Sequence, residues 1–432
     1  MIDGVNMREL AVTFVPTEQL VPYARNARTH SDEQVAQIMA SIAEFGFVNP
    51  VLVDANNGLI AGHGRLMAAQ RLGMKEVPAI TLGHLTETQK RALIIADNRI
   101  ALNACWDAEM LSLELRDLQA EDYDLDILGF GEDELDELLF DAPEGETDDD
   151  EVPEIQEAVV SKPGDVWVLG EHRLLCGDST QLDMVEKLLD GSLADMVFTD
   201  PPYNVNYGSS VKDKIRGKKL KIKNDNLGDE FHQFLLDTCT NLVTVCKGAI
   251  YICMSSSELD TLQSAFRQAG GHWSTFIIWA KNKFTMGQAD YQRQYEPILY
   301  GWKAGNKHYW CGARDQGDVW LVNKPQRNDL HPTMKPVELV LRAIENSSKT
   351  RDIVLDCFGG SGSTLIACEK TGRSARLLEL DPRYCDVIVR RWQDFTGKEA
   401  TLSETGQSFN SIKTGETEST PTPANPKQRK KD

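Results

Sequence analysis

Two short stretches carry residue types able to do chemistry. The first is DCFGGSGST, residues 356–364. An apolar run ends in Asp356, a glycine-rich turn follows, and a helical pattern begins. Glycines in such a turn let a ligand lie against the backbone. The next apolar run ends in Glu379. An acid roughly 20 residues beyond the first strand end is placed to accept hydrogen bonds from ribose hydroxyls. The glycines do not fit G-x-G-x-x-G, so a dinucleotide is not the first choice of ligand. The second stretch is Asp200-Pro201-Pro202-Tyr203, directly after the apolar run ADMVFT. Two prolines cannot continue a sheet ladder, so the chain must turn sharply and stiffly there. That groups a carboxylate, a rigid carbonyl-bearing turn and an aromatic ring. The first two can accept hydrogen bonds from an exocyclic amino group, and the ring can stack on a planar base.

The elements that position these residues alternate in type. ADMVFTD (194–200), GAIYICM (248–254), TFIIWAK (275–281), EPILYGWK (296–303), DIVLDCF (352–358) and ARLLELD (375–381) read as strands. Helical patterns fall near 229–246, 336–344, after the glycine turn to Thr371, and from Tyr384 to Phe395. That alternation predicts an α/β domain over 161–396, a mostly parallel sheet with helices on both faces. Such sheets bind ligands at the C-terminal ends of their strands. A smaller α+β region spans 9–107, with strands at 48–54 and 76–82 and helices from Leu66 to Leu72 and from Thr86 to Asn98. Thr86, with Gln89 three residues on, fits an N-cap. Residues 108–160 read as an acidic, Leu-rich helical segment followed by a linker, and 397–432 as a disordered tail.

Composition excludes several classes. The chain has 432 residues, 41% hydrophobic and 26% charged, the profile of a globular protein with two or three domains. The N-terminal MIDGVNMREL lacks the charged and apolar regions of a secretory signal, and no apolar run approaches the ~20 residues that span a bilayer. The expectation is a cytoplasmic protein with no membrane partner. The nine cysteines form no C-x-x-C and no zinc spacing, so they read as buried free thiols, with no metal. The net charge of −20 speaks against nucleic acid when taken whole. It is concentrated, however, in residues 132–157, which hold 14 acidic residues and no Lys or Arg. Residues 162–396 hold 30 basic and 29 acidic residues, and 212–223 (KDKIRGKKLKIK) hold seven basic and one acidic. The charge therefore does not exclude DNA.

D-P-P-Y at 200–203 followed by D-x-F-x-G-x-G at 356–362 resembles the S-adenosylmethionine-dependent DNA amino-methyltransferases. LLCGDST (174–180), WAKN (279–282), the EPILYGW stretch and HPTMKP (331–336) have the same look. The motif order is similar to the beta-type permutation, which implies a Rossmann-like methyltransferase fold with target recognition in about 204–330. The resemblance implies a catalytic set of Asp200, Pro201, Pro202 and Tyr203. For the cofactor it implies Asp178 near the adenine, Asp356, Phe358, Gly360, Gly362 and Thr364 at the methionine end, Glu379 at the ribose, and Thr333 and Lys335 in the closing segment. Asp rather than Ser before Pro-Pro implies N6 of adenine, with N4 of cytosine as the alternative. The implied substrate is double-stranded DNA, with the target base flipped out of the duplex into the site. Lys218 and Lys219, inside the basic run, would contact phosphates. A homodimer is left open.

AGHGRLMAAQRLGMKEVPAI (61–80) resembles the ParB/sulfiredoxin-like domain, matching about 10–105. Gly62, His63, Gly64 and Arg65 sit at a strand-to-helix turn, a ready phosphate, nucleotide or DNA contact. The family box reads G-E-R-R, so His63 and Gly64 depart from it and put nucleotide hydrolysis in doubt. His63 as a general base and a purely structural domain are the competing roles. For the whole chain the alternatives are a partition-like DNA-binding module with an inactive methyltransferase fold, RNA methylation, and a nuclease fusion. The last would need metal-binding carboxylates near 62–65, where Asp54 and Asp97 make no cluster.

Overall fold

The computed structural model describes residues 10–26, 28–101, 106–205, 223–285, 290–312, 315–323 and 334–414. They form two compact units, divided between Leu139 and Phe140.

The first unit is built on a four-stranded sheet in the order β1-β4-β2-β3, from β1 (Val12–Pro16), β2 (Val51–Val53), β3 (Leu59–Ala61) and β4 (Glu76–Thr81). Helices α1 (Asp32–Phe45), α2 (His63–Arg71) and α3 (Glu87–Ala101) accompany it. The strand read over 48–54 is shorter than expected, and α2 begins three residues earlier than Leu66. Two elements are additions. α1 has a Ser31 N-cap that accepts from the Gln34 N–H, and β1 pairs antiparallel with β4. Thr86 caps α3 as expected, in a reciprocal box with Gln89. Two further helices, α4 (Ala108–Ala120) and α5 (Glu132–Leu139), follow.

The second unit carries a ten-stranded sheet in the order β11-β9-β10-β8-β7-β12-β13-β6-β5-β14. Its strands are β5 (Val166–Leu169), β6 (His172–Cys176), β7 (Met196–Thr199), β8 (Ala249–Cys253), β9 (Gly271–Thr285), β10 (Arg293–Lys303), β11 (Val319–Leu321), β12 (Ile353–Asp356), β13 (Ser374–Glu379) and β14 (Thr401–Leu402). The centre, β8-β7-β12-β13-β6, is parallel, and antiparallel pairs flank it. Side chains alternate across the strands into two apolar layers. One takes Met196, Phe198, Tyr251 and Val354 with the helices Val337–Ser347, Ser363–Thr371 and Pro382–Thr396. The other takes Val197, Ile250, Ile252 and Leu355 with Leu182–Leu189, Phe231–Val245 and Leu259–Gln268. Burial on both faces explains why these strands read as continuous apolar runs.

Beyond β7 the chain winds outward through β8, and beyond β12 it winds the other way through β13. The C-terminal ends of β7 and β12 therefore form the switch point of the sheet, where a crevice must open. Thr199 closes β7 and Asp356 closes β12, so both sequence motifs leave the sheet at that crevice.

Two segments read as disordered tail and linker are folded in the second unit. The tail assigned to disorder from 397 is folded as far as Thr414. β14 pairs antiparallel with β5, and Phe409, from the helix Phe409–Thr414, packs edge-on against Trp167 at 5.2 Å. Residues 415–432 lie outside the described residues. The acidic stretch 141–151 is no solvated linker either, but a strap on the second unit. Glu146 N–H donates to the Phe395 carbonyl at 2.8 Å, Asp149 pairs with Lys370, and Asp150 accepts the Val337 N–H at 2.9 Å, capping a helix. The fully buried Arg391 donates to the carbonyls of Asp149 (2.7 Å) and of Ser361 (2.8 Å), so it ties the strap to the glycine turn. Replacing Arg391 by Met strands both carbonyls. The expected cost is about 1–3 kcal/mol, read as a drop of several degrees in the thermal unfolding midpoint.

Candidate active site

At the crevice, Asp200 is the centre of a hydrogen-bonded cluster. Tyr203 Oη donates to Asp200 Oδ1 at 2.7 Å. Lys335 Nζ donates to Asp200 Oδ2 at 2.6 Å and to Tyr203 Oη at 3.0 Å. Glu296 Oε2 lies 3.2 Å from Lys335 Nζ, and Glu296 also pairs with Lys281. The loop itself is pinned from below. The buried Asp225 carboxylate accepts the N–H groups of Tyr203 and Val205, and Asn204 Oδ1 accepts those of Leu227 and Gly228. Two carboxylates and two ammonium groups make the cluster neutral overall.

The two acids are not equivalent. Lysines on both sides overcome burial at Glu296 and hold it at about 2. Asp200 has one lysine, shared with Glu296, and burial raises it above the usual carboxylate range. Burial opposes the charge on Lys335, but the two carboxylates dominate and keep it protonated. Asp200 is thus the more basic acceptor, and 26% of its side chain is open to the crevice. Burial also raises the Tyr203 hydroxyl, which stays neutral.

Across the crevice, Asp356 accepts from Thr199 Oγ1 (2.8 Å), Thr364 Oγ1 (2.7 Å) and the Phe358 N–H (3.1 Å). It locks the start of the turn, and burial lifts it to about 6. Gly360 and Gly362 both have positive φ, +54° and +87°, where a side chain is strained. A Cβ on Gly360 would have only the Phe358 carbonyl within 4 Å, so glycine leaves that space open as a cradle. Glu379 accepts from Gly360 N–H (2.9 Å) and Asp381 N–H (2.8 Å), and burial raises it to about 7. Asp178 accepts from the Thr180 N–H and hydroxyl.

Asp178, Asp200, Tyr203, Lys335, Phe358 and Glu379 all line one cavity of about 450 Å³, within the usual range for small-ligand sites. The residues present suit S-adenosylmethionine. There is an open backbone cradle, a carboxylate at a strand end for a ribose, and an excess of buried acid facing a cationic group.

The structure thus brings together most of the residues singled out from sequence. Lys335, expected with the cofactor residues, lines the same cavity and also bonds to Asp200 and Tyr203. Its carbonyl does accept from Ser363 Oγ, next to the turn. Thr333, Lys218 and Lys219 lie outside the described residues. Glu296, Lys281 and Asp225 were missed. Glu296 and Lys281 do fall inside EPILYGW and WAKN, the two stretches noted only for their look.

In the first unit, Gly62 is the left-handed N-cap of α2. His63 Nε2 accepts the Tyr23 N–H at 3.2 Å, and burial keeps the ring neutral. That nitrogen is already engaged, which argues against the general-base role. Arg65 Nη1 donates to the Asn49 carbonyl at 2.9 Å. A Cβ on Gly64 would stand 2.9 Å from Ile38 Cδ1 and 3.1 Å from His30, so close packing of α1 on α2 accounts for the glycine where the family box has arginine.

Comparison with known proteins agrees with this division. Residues 194–390 match the DNA methylase family, 3–99 the ParB N-terminal domain, and 109–163 the ParB-methyltransferase HTH domain. The last was not foreseen: Leu spacing marked helices at 107–140 but no groove-reading residue. The ParB-like nuclease domain-containing protein YnaK of Escherichia coli (strain K12) is 54% identical over 83 residues, 19% of this chain and 95% of that protein. The Type II methyltransferase M.HpaI of Haemophilus parainfluenzae is 26% identical over 249 residues, 51% of this chain and 74% of that protein. Among solved structures, the M1.HpyAVI–SAM complex shares 23% identity with a TM-score of 0.38, covering 50% of this chain and 98% of that one. The chain therefore belongs to the ParB-like proteins through its N-terminal domain, while residues 194–390 of its C-terminal domain are similar to the DNA methylases.

Proposed function

We propose that this protein transfers a methyl group from S-adenosylmethionine to N6 of adenine at a specific site in double-stranded DNA. The observation that carries the reading is the Asp200 carboxylate, open to the crevice and made more basic by burial. S-adenosylmethionine supplies an electrophilic methyl group on a good leaving group. Asp178 and Glu379 hold its adenosine, and the turn around Gly360 and Gly362 holds its methionine end. Asp200 and the Pro201 carbonyl accept the two N–H bonds of the adenine amino group and turn its lone pair toward the methyl. As the new C–N bond forms, the methyl–sulfur bond breaks and its electron pair stays on sulfur, which leaves as a neutral thioether; the nitrogen becomes cationic and one of its protons passes to Asp200. Tyr203, tethered through its hydroxyl, presents its ring to the flipped base. Alignment rather than acid strength does most of the work.

The protein acts in the cytoplasm, and among the described residues no helix is long and apolar enough to cross a membrane. A homodimer fits the reading. Arg116 is the only basic residue on α4 and α5, and it bonds to Ser112 and the Leu139 carbonyl. We therefore assign phosphate contact to the basic run 212–223 rather than to these helices. The test is expression in a host without DNA methylation, followed by modification-sensitive sequencing. Methyladenine at one short motif is expected. Methylcytosine would overturn the base, and unmodified DNA the reaction.

The Glu379 assignment has its own test. In the cofactor-free protein this group titrates at about 7, and a ribose needs the ionised form as acceptor. Affinity for S-adenosylmethionine should fall about fivefold from pH 7 to pH 6. Glu379→Gln should weaken binding and flatten that profile, as followed by calorimetry.

A further inference from the structure

The β9–β10 hairpin outgrows its sheet. Its two strands pair as far as Arg293 and Thr285. On one side, pairing with β8 stops at Ile298 opposite Cys253, and on the other, pairing with β11 stops at Ala280. Because β10 runs antiparallel to β8, the overhang projects from the C-terminal ends of β8 and β7, where Asp200 sits. Its root is fastened to the cluster through Lys281 and Glu296, and Arg293 Nη1 donates to the buried Ser255 Oγ at 3.1 Å.

The overhang carries apolar rings in water. Phe284 is 54% exposed, Tyr291 91% and Tyr295 42%. Exposed aromatics gathered on one projection mark a binding surface. Around them, 282–285 and 290–295 hold Lys283, Arg293 and the amides Asn282, Gln292 and Gln294, with Asp290 as the one acid, in a chain of net charge −20. Aromatic faces with cations and planar amides suit stacked bases and phosphates, because every base offers a π-face.

We infer that Phe284 at the end of β9 and Tyr291 just before β10 are the wedge that enters the duplex beside the target, their rings stacking where the flipped base has left. The inference rests on the DNA-methyltransferase reading. Extruding a base breaks its stacking and pairing, and a ring in the gap offsets part of that loss. It also keeps the base from falling back while Asp200 engages it.

The test uses the full chain and two duplexes that carry the motif found by sequencing. One is fully paired, and the other lacks the base opposite the target. Tyr291→Ala and Phe284→Ala should lower kcat/KM on the paired duplex by about 10- to 100-fold. On the gapped duplex, where the target is already unpaired, they should come within about threefold of the parent, a margin well inside one stacking contact. Tyr291→Trp should keep activity on both. Affinity for S-adenosylmethionine should not move. Full activity of the alanine variants on the paired duplex overturns the inference, and so does equal loss on both duplexes. If the parent methylates neither duplex, the reading beneath it falls too, so the two failures are distinct.

Discussion

Asp200→Asn should lower the single-turnover rate of methyl transfer by about 10³-fold, with S-adenosylmethionine affinity nearly unchanged. The substitution preserves shape. An amide oxygen still accepts from Tyr203 Oη, so the loop need not move. What it removes is the charge and one acceptor edge. An NH₂ group now faces either Lys335 Nζ, at the position of the present 2.6 Å contact, or the substrate amine, and both of those are donors. Neither orientation lets residue 200 accept from the amino group and receive its proton. Rapid-quench measurement with labelled cofactor reads the rate, and calorimetry reads binding. A variant within tenfold of the parent would sink the role given to the carboxylate. The pH profile adds a second check. Asp200 must be ionised to act, and burial raises it. At saturating S-adenosylmethionine, where the Glu379 effect on binding drops out, the acid limb of the parent's rate should therefore lie above the ordinary carboxylate range and vanish in the variant.

What could be read from sequence followed the range of the interaction. D-P-P-Y and the glycine turn are local: each carries its acid, its turn residues and its ring within nine residues or fewer. The parallel centre was legible because double burial makes each strand a plain apolar run. Glu296, Lys281 and Asp225 were not, because a partner across a sheet leaves no spacing in the chain. The partner of Lys335 was hidden for the same reason: HPTMKP names the residue, while only the fold puts its ammonium against an acid 135 residues away. The strap shows the opposite error. An acidic run reads as solvated, yet here Asp149 and Asp150 meet Lys370, Arg391 and a helix N-terminus, donors gathered from three separate helices. The C-terminal tail misled in the same manner, since its polar composition hides two anchors, the β14 pairing with β5 and the buried Phe409.

Lys335→Met is the substitution expected to damage both stability and catalysis. The lysine is only 7% exposed and lies between Asp200 and Glu296. Methionine fills similar volume but leaves two carboxylates close together, with Lys281 as the remaining cation. Removing one partner from a buried ionic cluster costs about 3–5 kcal/mol, a fall of roughly 10 °C in the unfolding midpoint of a domain this size. The sign of the pH dependence follows from which group suffers. Without Lys335, Asp200 rises further above its unfolded value. A carboxyl raised in the folded state favours folding at low pH, and the variant loses that advantage as pH climbs through the raised value. The deficit against the parent should therefore be largest near pH 8 and shrink toward pH 5.5. Adding Asp200→Asn to Lys335→Met removes the stranded charge, so the double variant should regain part of the lost stability while staying inactive. Thermal unfolding of the parent, both single variants and the double variant at the two pH values completes the cycle. Equal deficits at both pH values, or strictly additive losses, would mean that Lys335 serves as packing rather than as the counter-ion of the catalytic acid.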